Sequence, residues 1–429
     1  MNPMKNLLIV FVCCMLTGSI CGCAEKPHGN EQTHSRSITP MSLPEKTFHQ
    51  SPTDYNRFAV ESYLKIIRGT GDKNAVFSPF SLSMVLEILY AGSNGDTTRS
   101  LESILHLPES NNDLPQNPAL FEYTAPDREN PEAWENPPIF LIGNSIWYSD
   151  KLTLNRTYET DLKKAFFLDV FPVDVTNNRE QVARNMEQWA NRVTQGLIPS
   201  INPESPEQAS FSLLSVLYFK AHWKYKFQTY KTKNAPFTLA NGKIIKTPTM
   251  NDEESFPYME NEELRALEMP YFARYQDVPG GGDFSMLFIL PKAVDGIPAV
   301  EEKLSAQWLQ EVLHPMKLTH LEVSIPKFRL EQEHDLLTLF DDKSLTVDAD
   351  FSDMFTPSPV TDAVSAKQKI VLGIDEHGTE AAVATGIAYA CLGSEPPKFI
   401  ADHPFLFLIR ETKSGTILFI GRVMNPNER

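Results

Sequence analysis

From Glu376 to Glu395 the chain contains no proline, and its side chains change character at every second position. Thr379, Ala381, Val383, Thr385, Ile387, Tyr389 and Cys391 form one alternate set, apolar or hydroxylic and bulkier toward its end. Glu380, Ala382, Ala384, Gly386, Ala388 and Ala390 form the other, tiny apart from one acid. Two is the period of a strand, so the two sets take opposite faces. No missing N–H interrupts a backbone ladder. Alanine favours a helix here. Gly378, Gly386 and Gly393 and the β-branched Thr379, Val383, Thr385 and Ile387 oppose one. A permanently buried strand over this span exceeds the usual length. The segment reads as a loop at one time and a buried strand at another.

The rest of the chain supplies an interior for such a strand to enter. With 429 residues, 41% hydrophobic and 22% charged, it can bury a large core. Length alone allows one large or two ordinary domains. No compositional shift beyond residue 50 marks a linker, so one domain over 51–429 is expected. A net charge of −16 disfavours nucleic acid or another polyanion as the main partner, because either needs a basic face.

Lys5 precedes an apolar run from Leu7 to Leu16, too short to span a bilayer and right for the core of a signal peptide. It leads into Ile20-Cys21-Gly22-Cys23, which resembles a bacterial lipobox with Cys23 lipidated. The small Gly22 suits cleavage there, while Ile20 makes Cys21 the poorer site. The expectation is a lipoprotein signal over 1–22 and a polar tether over 23–50 carrying Pro27, Pro40 and Pro44. An ordinary secretory signal is the alternative, and would release a secreted protein. In a Gram-negative envelope Ala24, in place of aspartate, favours a lipid anchor in the outer membrane. Of the five cysteines, Cys13, Cys14 and Cys21 leave with the signal and Cys23 carries lipid. Cys391 remains, so no internal disulfide is expected.

The chain has no Gly-x-Ser-x-Gly, no His-Glu-x-x-His, no phosphate-cradling loop and no clustered metal ligands. Gly280-Gly281-Gly282 reads as a flexible turn, and the ten histidines are scattered. An enzyme is therefore not expected, nor a metal, nor a cofactor.

Local periodicity places a few elements. Thr53 or Asp54 can cap a helix whose apolar face uses Tyr55, Phe58, Ala59, Leu64 and Ile67, with Gly69 as its stop. Val182, Met186, Trp189 and Val193 recur at helical spacing before Gly196. Leu321, Val323 and Ile325 alternate with Glu322 and Ser324 as a strand. Phe405 to Ile409 and Ile417 to Gly421 make a hairpin around Ser414-Gly415.

Several segments then resemble one family, in order along the chain. They are Asn74-Ala75-Val76-Phe77-Ser78-Pro79-Phe80-Ser81-Leu82-Ser83, Tyr90-Ala91-Gly92 with Gly95-Asp96-Thr97, and Leu217-Tyr218-Phe219-Lys220 with Trp223. Ile325-Pro326-Lys327-Phe328, Asp350-Phe351-Ser352, and His403-Pro404-Phe405 through Phe419-Ile420-Gly421-Arg422-Val423 with Asn425-Pro426 continue the series. Glu376-His377-Gly378-Thr379-Glu380-Ala381-Ala382-Val383-Ala384-Thr385 completes it as a proximal hinge. Together they resemble the serpins, serine-protease inhibitors whose established mechanism is insertion of a reactive loop into a sheet.

The resemblance implies an α+β serpin fold, with a large central mixed sheet, smaller sheets, about eight to nine helices and an exposed reactive-centre loop over 376–397. It implies a monomer that traps a serine protease as a covalent acyl-enzyme, with the protease supplying the nucleophile. The hinge residues Glu376, Gly378, Thr379, Glu380, Ala381, Ala382, Val383, Ala384 and Thr385 are mostly small and proline-free, as in inhibitory members. The alternative is a non-inhibitory serpin-fold lipoprotein that binds or builds at the envelope. Family spacing counted from Glu376 puts the cleaved bond at Leu392-Gly393. Counting back from Pro396-Pro397 and His403-Pro404-Phe405 puts it at Gly393-Ser394. Leu392-Gly393 is preferred, because insertion length from the hinge governs trapping. Leucine suits elastase-, chymotrypsin- or subtilisin-like pockets, and no Lys or Arg near either bond suits a trypsin-like one.

Ser78, Ser215 and Gln368 occupy the positions of the family's polar shutter beneath the main sheet. Ser215 stands where asparagine is common and Gln368 where histidine is common. The helix around Val182–Val193 is implied to lie across the sheet, over the gap the loop enters. Residues 108–138 depart from the family, being rich in proline and mostly acidic in their charges, so activation by heparin-like polyanions is not expected.

Overall fold

The computed structural model describes residues 52–107, 139–166, 168–174, 178–198, 210–271, 284–345, 348–357, 364–378 and 396–428. In chain order the elements begin α1 (Pro52–Ile66), β1 (Ala75–Phe77), α2 (Pro79–Tyr90), α3 (Gly95–Ile104), β2 (Ile139–Ser149) and β3 (Thr153–Leu154). Next come α4 (Arg156–Ala165), β4 (Leu168–Val173), α5 (Arg179–Val193), β5 (Phe211–Lys220), β6 (Lys233–Thr238), β7 (Ile244–Glu260) and β8 (Leu264–Pro270). They continue with β9 (Phe284–Pro291), α6 (Ile297–Lys303), α7 (Ala306–Leu313), β10 (Lys317–Pro326) and β11 (Phe328–Asp335). The last are β12 (Phe355–Thr356), β13 (Val364–Ile374), β14 (Lys398–Ile400), β15 (Phe405–Glu411) and β16 (Ile417–Val423). The fold is α+β. Seven α-helices fall among the described residues, against the eight to nine expected, and residues 108–138 lie outside the description.

Two sheets carry the architecture. One runs β11-β13-β5-β2-β4, and is mixed because β13 with β5 and β2 with β4 are parallel while the other pairs are antiparallel. The other is nine-stranded, ordered β1-β16-β15-β9-β8-β7-β10-β14 with β6 on β7. The C-terminal hairpin expected around Ser414-Gly415 is β15 and β16, and Gly415 takes the positive φ of 76° that the turn needs.

Ser78 and Pro79 start α2. Ser78 is extended, its hydroxyl accepts from Ser81 N, and Pro79 sits where a helix needs no N–H. The helix is buried on every side from Pro79 to Leu89, as an all-round apolar helix must be. Strand β5, at the centre of the five-stranded sheet, is covered on both faces. In β5, Leu213, Leu217 and Phe219 join the main core with α2, while Leu214 and Val216 pack against α5. Burial on both faces explains why β5 reads as a nearly continuous apolar run.

Helix α5 carries the stripe read from its spacing: Val182, Met186 and Trp189 are buried, and Val193 is half-buried. It seats closely on β2, because a Cβ at Gly143 would stand 2.5 Å from Val193 Cγ1. In α1 the cap expectation needs correction. The helix already begins at Pro52, so Thr53 and Asp54 lie inside its first turn, where Asp54 suits the positive end of the dipole. Tyr55, Phe58 and Ala59 are buried as expected, joined by Val60, Tyr63 and Ile66, and Gly69 (φ 78°) follows the end.

Two buried acids have opposite fates. Glu301 accepts from both Arg422 Nη1 (3.1 and 3.0 Å) and Tyr63 Oη (2.8 Å), tying α6 to β16 and α1. Glu87 in α2 has no such cation among the described residues, and burial pushes its carboxyl well above the ordinary carboxylate range. The unfolded chain ionises Glu87 above its ordinary pKa of 4.5, whereas the folded chain resists until its raised value, so stability falls as pH rises through that window. Glu87→Gln is therefore expected to raise the Tm at neutral pH and flatten the fall above pH 4.5, read by thermal melts across pH.

Candidate functional site

The parallel pairing of β13 with β5 runs from Val364↔Phe211 to Val371↔Tyr218 and then stops. Each strand continues with its outer neighbour: β13 with β11 to Ile374↔Phe328, and β5 with β2 to Lys220↔Ile139. The seam between them is thus open at its head.

Directly above, residues 375–378 reverse the chain. Asp375 N donates to Gly378 O (2.9 Å), Gly378 N to Asp375 O (3.1 Å), and His377 N to Asp375 Oδ1 (2.8 Å). Gly378 forms antiparallel bridges with Asp375 on one side and His222 on the other. Its φ of +127° and the 2.2 Å that a Cβ would leave to Ala221 O admit no side chain.

The segment after β5 straps this turn down. Trp223 N donates to His377 O (2.8 Å), Phe227 N to Glu376 O (3.0 Å), and Trp223 Nε1 to Asp375 O (3.0 Å). Trp223 is itself stacked on Tyr271, with centroids 4.5 Å apart and planes at 7°. The Glu376 carboxylate, 7% exposed, accepts from Lys327 Nζ (2.6 Å) and Thr232 Oγ1 (2.7 Å). Burial pushes its pKa up, but the bonds from Lys327 and Thr232 outweigh that, and the carboxyl is held below the ordinary value.

Beneath the seam lies a polar row. His334, Gln368, Ser215 and Asn144 are consecutive register partners across β11, β13, β5 and β2. Ser78, Ser215 and Gln368 are brought together, all fully buried; Gln368 bonds to Ser78, Ser78 Oγ donates to Leu418 O of β16 (2.8 Å), and Ser215 bonds to α2 and β2. Gln368 grips the backbone of Ser78, with Oε1 accepting from its N (3.3 Å) and Nε2 donating to its O (2.9 Å). Ser215 Oγ donates to Asn144 Oδ1 (2.8 Å) and meets Ser81 Oγ at 2.6 Å. Asn144 Nδ2 donates to Phe166 O (3.1 Å), which fixes the amide's orientation. The amino end of α2 therefore holds β13 through Ser78 and β5 through Ser81.

Asn144 and Ser81 were not singled out from the sequence. A lone asparagine within the apolar run of β2 was the available signal, since a buried amide needs partners. On the opposite face, one cluster joins Trp147 of β2, Leu214 and Val216 of β5 and Val371 of β13 to α5, which spans the seam. The hinge residues Thr379, Glu380, Ala381, Ala382, Val383, Ala384 and Thr385, the bonds at Leu392, Gly393 and Ser394, and Cys391 and Cys23 lie outside the described residues.

Gly378→Ala is expected to force the reversing turn open at a cost of about 1–3 kcal/mol. A lowered Tm and heightened proteolysis around residue 378 are the measurements that check it.

Comparison with known proteins agrees with this geometry. The family model described as Serpin (serine protease inhibitor) matches residues 53–426. An uncharacterized serpin-like protein of Thermococcus kodakarensis is 30% identical over 443 residues, covering 99% of each chain. The leukocyte elastase inhibitor of Homo sapiens is 30% identical over 388 residues, 86% of this chain and 98% of that one. Among solved structures, human thyroxine-binding globulin complexed with thyroxine superposes with TM-score 0.76 at 24% identity, over 88% of this chain and 98% of that one. An Arabidopsis serpin in its native stressed conformation gives TM-score 0.73 at 23% identity over the same shares. At these identities the solved structures speak for the fold alone.

Proposed function

The chain belongs to the serpin family, and we propose that it is a suicide-substrate inhibitor of serine proteases. The observation that carries this reading is Gly378, bridged antiparallel on both sides at the head of an open seam. A strand continuing from it runs antiparallel to β5 and β13 alike, so it can replace their single parallel ladder with two antiparallel ones. The hinge sequence that follows, Thr379 to Thr385, carries small residues and no proline to obstruct entry.

The protease attacks the loop and forms an acyl-enzyme through its own serine, histidine and oxyanion hole. Cutting frees the upstream half, which enters the seam and carries the protease with it. About ten new ladder bonds at about 1 kcal/mol each supply on the order of 10 kcal/mol. That is comparable to the stability of a whole ordinary domain. The inhibitor contributes a well-presented peptide bond and a place for the strand to go, and no catalytic group. Leu392-Gly393 is the proposed bond, with Gly393-Ser394 one residue on, and elastase-, chymotrypsin- or subtilisin-like enzymes the targets. Cys23 is the proposed lipid anchor at a bacterial cell envelope.

Incubation with leukocyte elastase, chymotrypsin and subtilisin is expected to yield a complex that survives a denaturing gel, with the released peptide beginning at Gly393 or Ser394. The nicked protein is expected to melt well above the intact one. Equal melting temperatures, with cleavage and no complex, would instead mark a serpin-fold binding protein. Thr379→Arg places a long cation at the second rung, and is expected to convert the inhibitor into a substrate, seen as complete loop cleavage without complex.

A further inference from the structure

Against the expectation of no clustered metal ligands, the turn that carries Gly378 gathers three metal-ligating side chains. Ligand atoms of Asp375, Glu376 and His377 all lie within 4.8 Å of one another. His377 Nδ1 is buried and has no hydrogen-bond partner among the described residues, although part of the ring, with 22% of its side chain exposed, reaches solvent. It stands 3.6 Å from Asp375 Oδ1. That separation is close to the ~3.3 Å edge of a tetrahedron with bonds of ~2.0–2.1 Å, the lengths of zinc to imidazole nitrogen and carboxylate oxygen.

The backbone beneath these side chains is already fixed. Asp375 O, Glu376 O and His377 O each accept from the strap, through Trp223 Nε1, Phe227 N and Trp223 N. Asp375 Oδ1 is further oriented by His377 N at 2.8 Å. Ligands set on rigid backbone are what a metal site requires. Charge fits as well: Lys327 neutralises Glu376, and Asp375 supplies the remaining negative charge beside the imidazole.

We propose that this turn is a Zn²⁺ site, with His377 Nδ1 and Asp375 Oδ1 as protein ligands and water on the open positions. Glu376 joins them only by leaving Lys327. The pairing of one imidazole with one carboxylate suits zinc over calcium or magnesium, which favour all-oxygen sets. The regulatory consequence rests on the inhibitory reading above. A cation tying Asp375 to His377 stiffens the turn that seeds strand entry, so zinc increases the fraction of protease trapped relative to loop hydrolysed.

Binding is read first on the purified protein, without protease, by competition between it and a chromogenic zinc chelator. The expected result is one zinc per chain, with at least about tenfold weaker binding in His377→Ala and in Asp375→Asn. Asp375→Asn keeps the oxygen that accepts from His377 N, and so separates loss of a ligand from loss of the turn; its melting curve checks the fold. No binding by the parent, or binding unchanged in both variants, overturns the proposal. A chain that binds zinc but traps no protease leaves the site standing and removes the inhibitory reading. One that traps protease without binding zinc does the reverse.

Discussion

The ladder between β5 and β13 is the interaction on which everything else in this molecule turns. It is parallel, the slightly weaker arrangement per residue, and it ends at Val371↔Tyr218 although both strands go on. Each strand keeps a better-matched antiparallel neighbour to its far end, β11 for one and β2 for the other. The two strands are held together by this ladder and by what bridges them on either face. Below, Ser78 and Ser81 at one helix end reach to opposite sides of the seam. Above, α5 packs on both strands at once. Separation along this line would leave the outer antiparallel pairings intact.

The reversing turn supplies direction. Asp375 to Gly378 sends the chain back on itself before any loop residue is reached, and the strap around Trp223 keeps it there. Glu376 anchors the turn to Lys327 at the junction of β10 and β11, and to Thr232. Because its carboxyl is held below the ordinary value, this anchorage is fully present above pH 4.5 and is lost as acid protonates it. Glu87 behaves oppositely, so the two acids pull the stability curve in different directions as pH falls.

Features governed by local period were legible in the chain. Leu321, Val323 and Ile325 point into the core as their alternation required, and the α5 stripe is buried. The positions of Ser78, Ser215 and Gln368 were singled out through family resemblance, and the structure sets Gln368 against Ser78 and beside Ser215. Their bonding was not legible, because the partners are remote: Asn144 lies 71 residues from Ser215, and Ser81 lies 134 from it. The same holds for Glu376, whose partners Lys327 and Thr232 are 49 and 144 residues away. The start of α1 was misplaced for a different reason. Proline at a first helical position imitates a breaker unless the missing N–H is recognised as harmless there.

Gly143 sets how closely α5 lies on the sheet. With no side chain in the way, α5 rests so low on β2 that Val193 and Trp189 nearly touch the strand's backbone. The helix is thereby moored to the half of the sheet that includes β2, and it reaches Val371 across the seam through the same apolar cluster. In the loop insertion proposed above, the arriving segment would pass beneath α5, under a low ceiling. The pace of that proposed rearrangement would then rest on the clearance beneath one helix, a mechanical quantity that a single methyl group on residue 143 would alter.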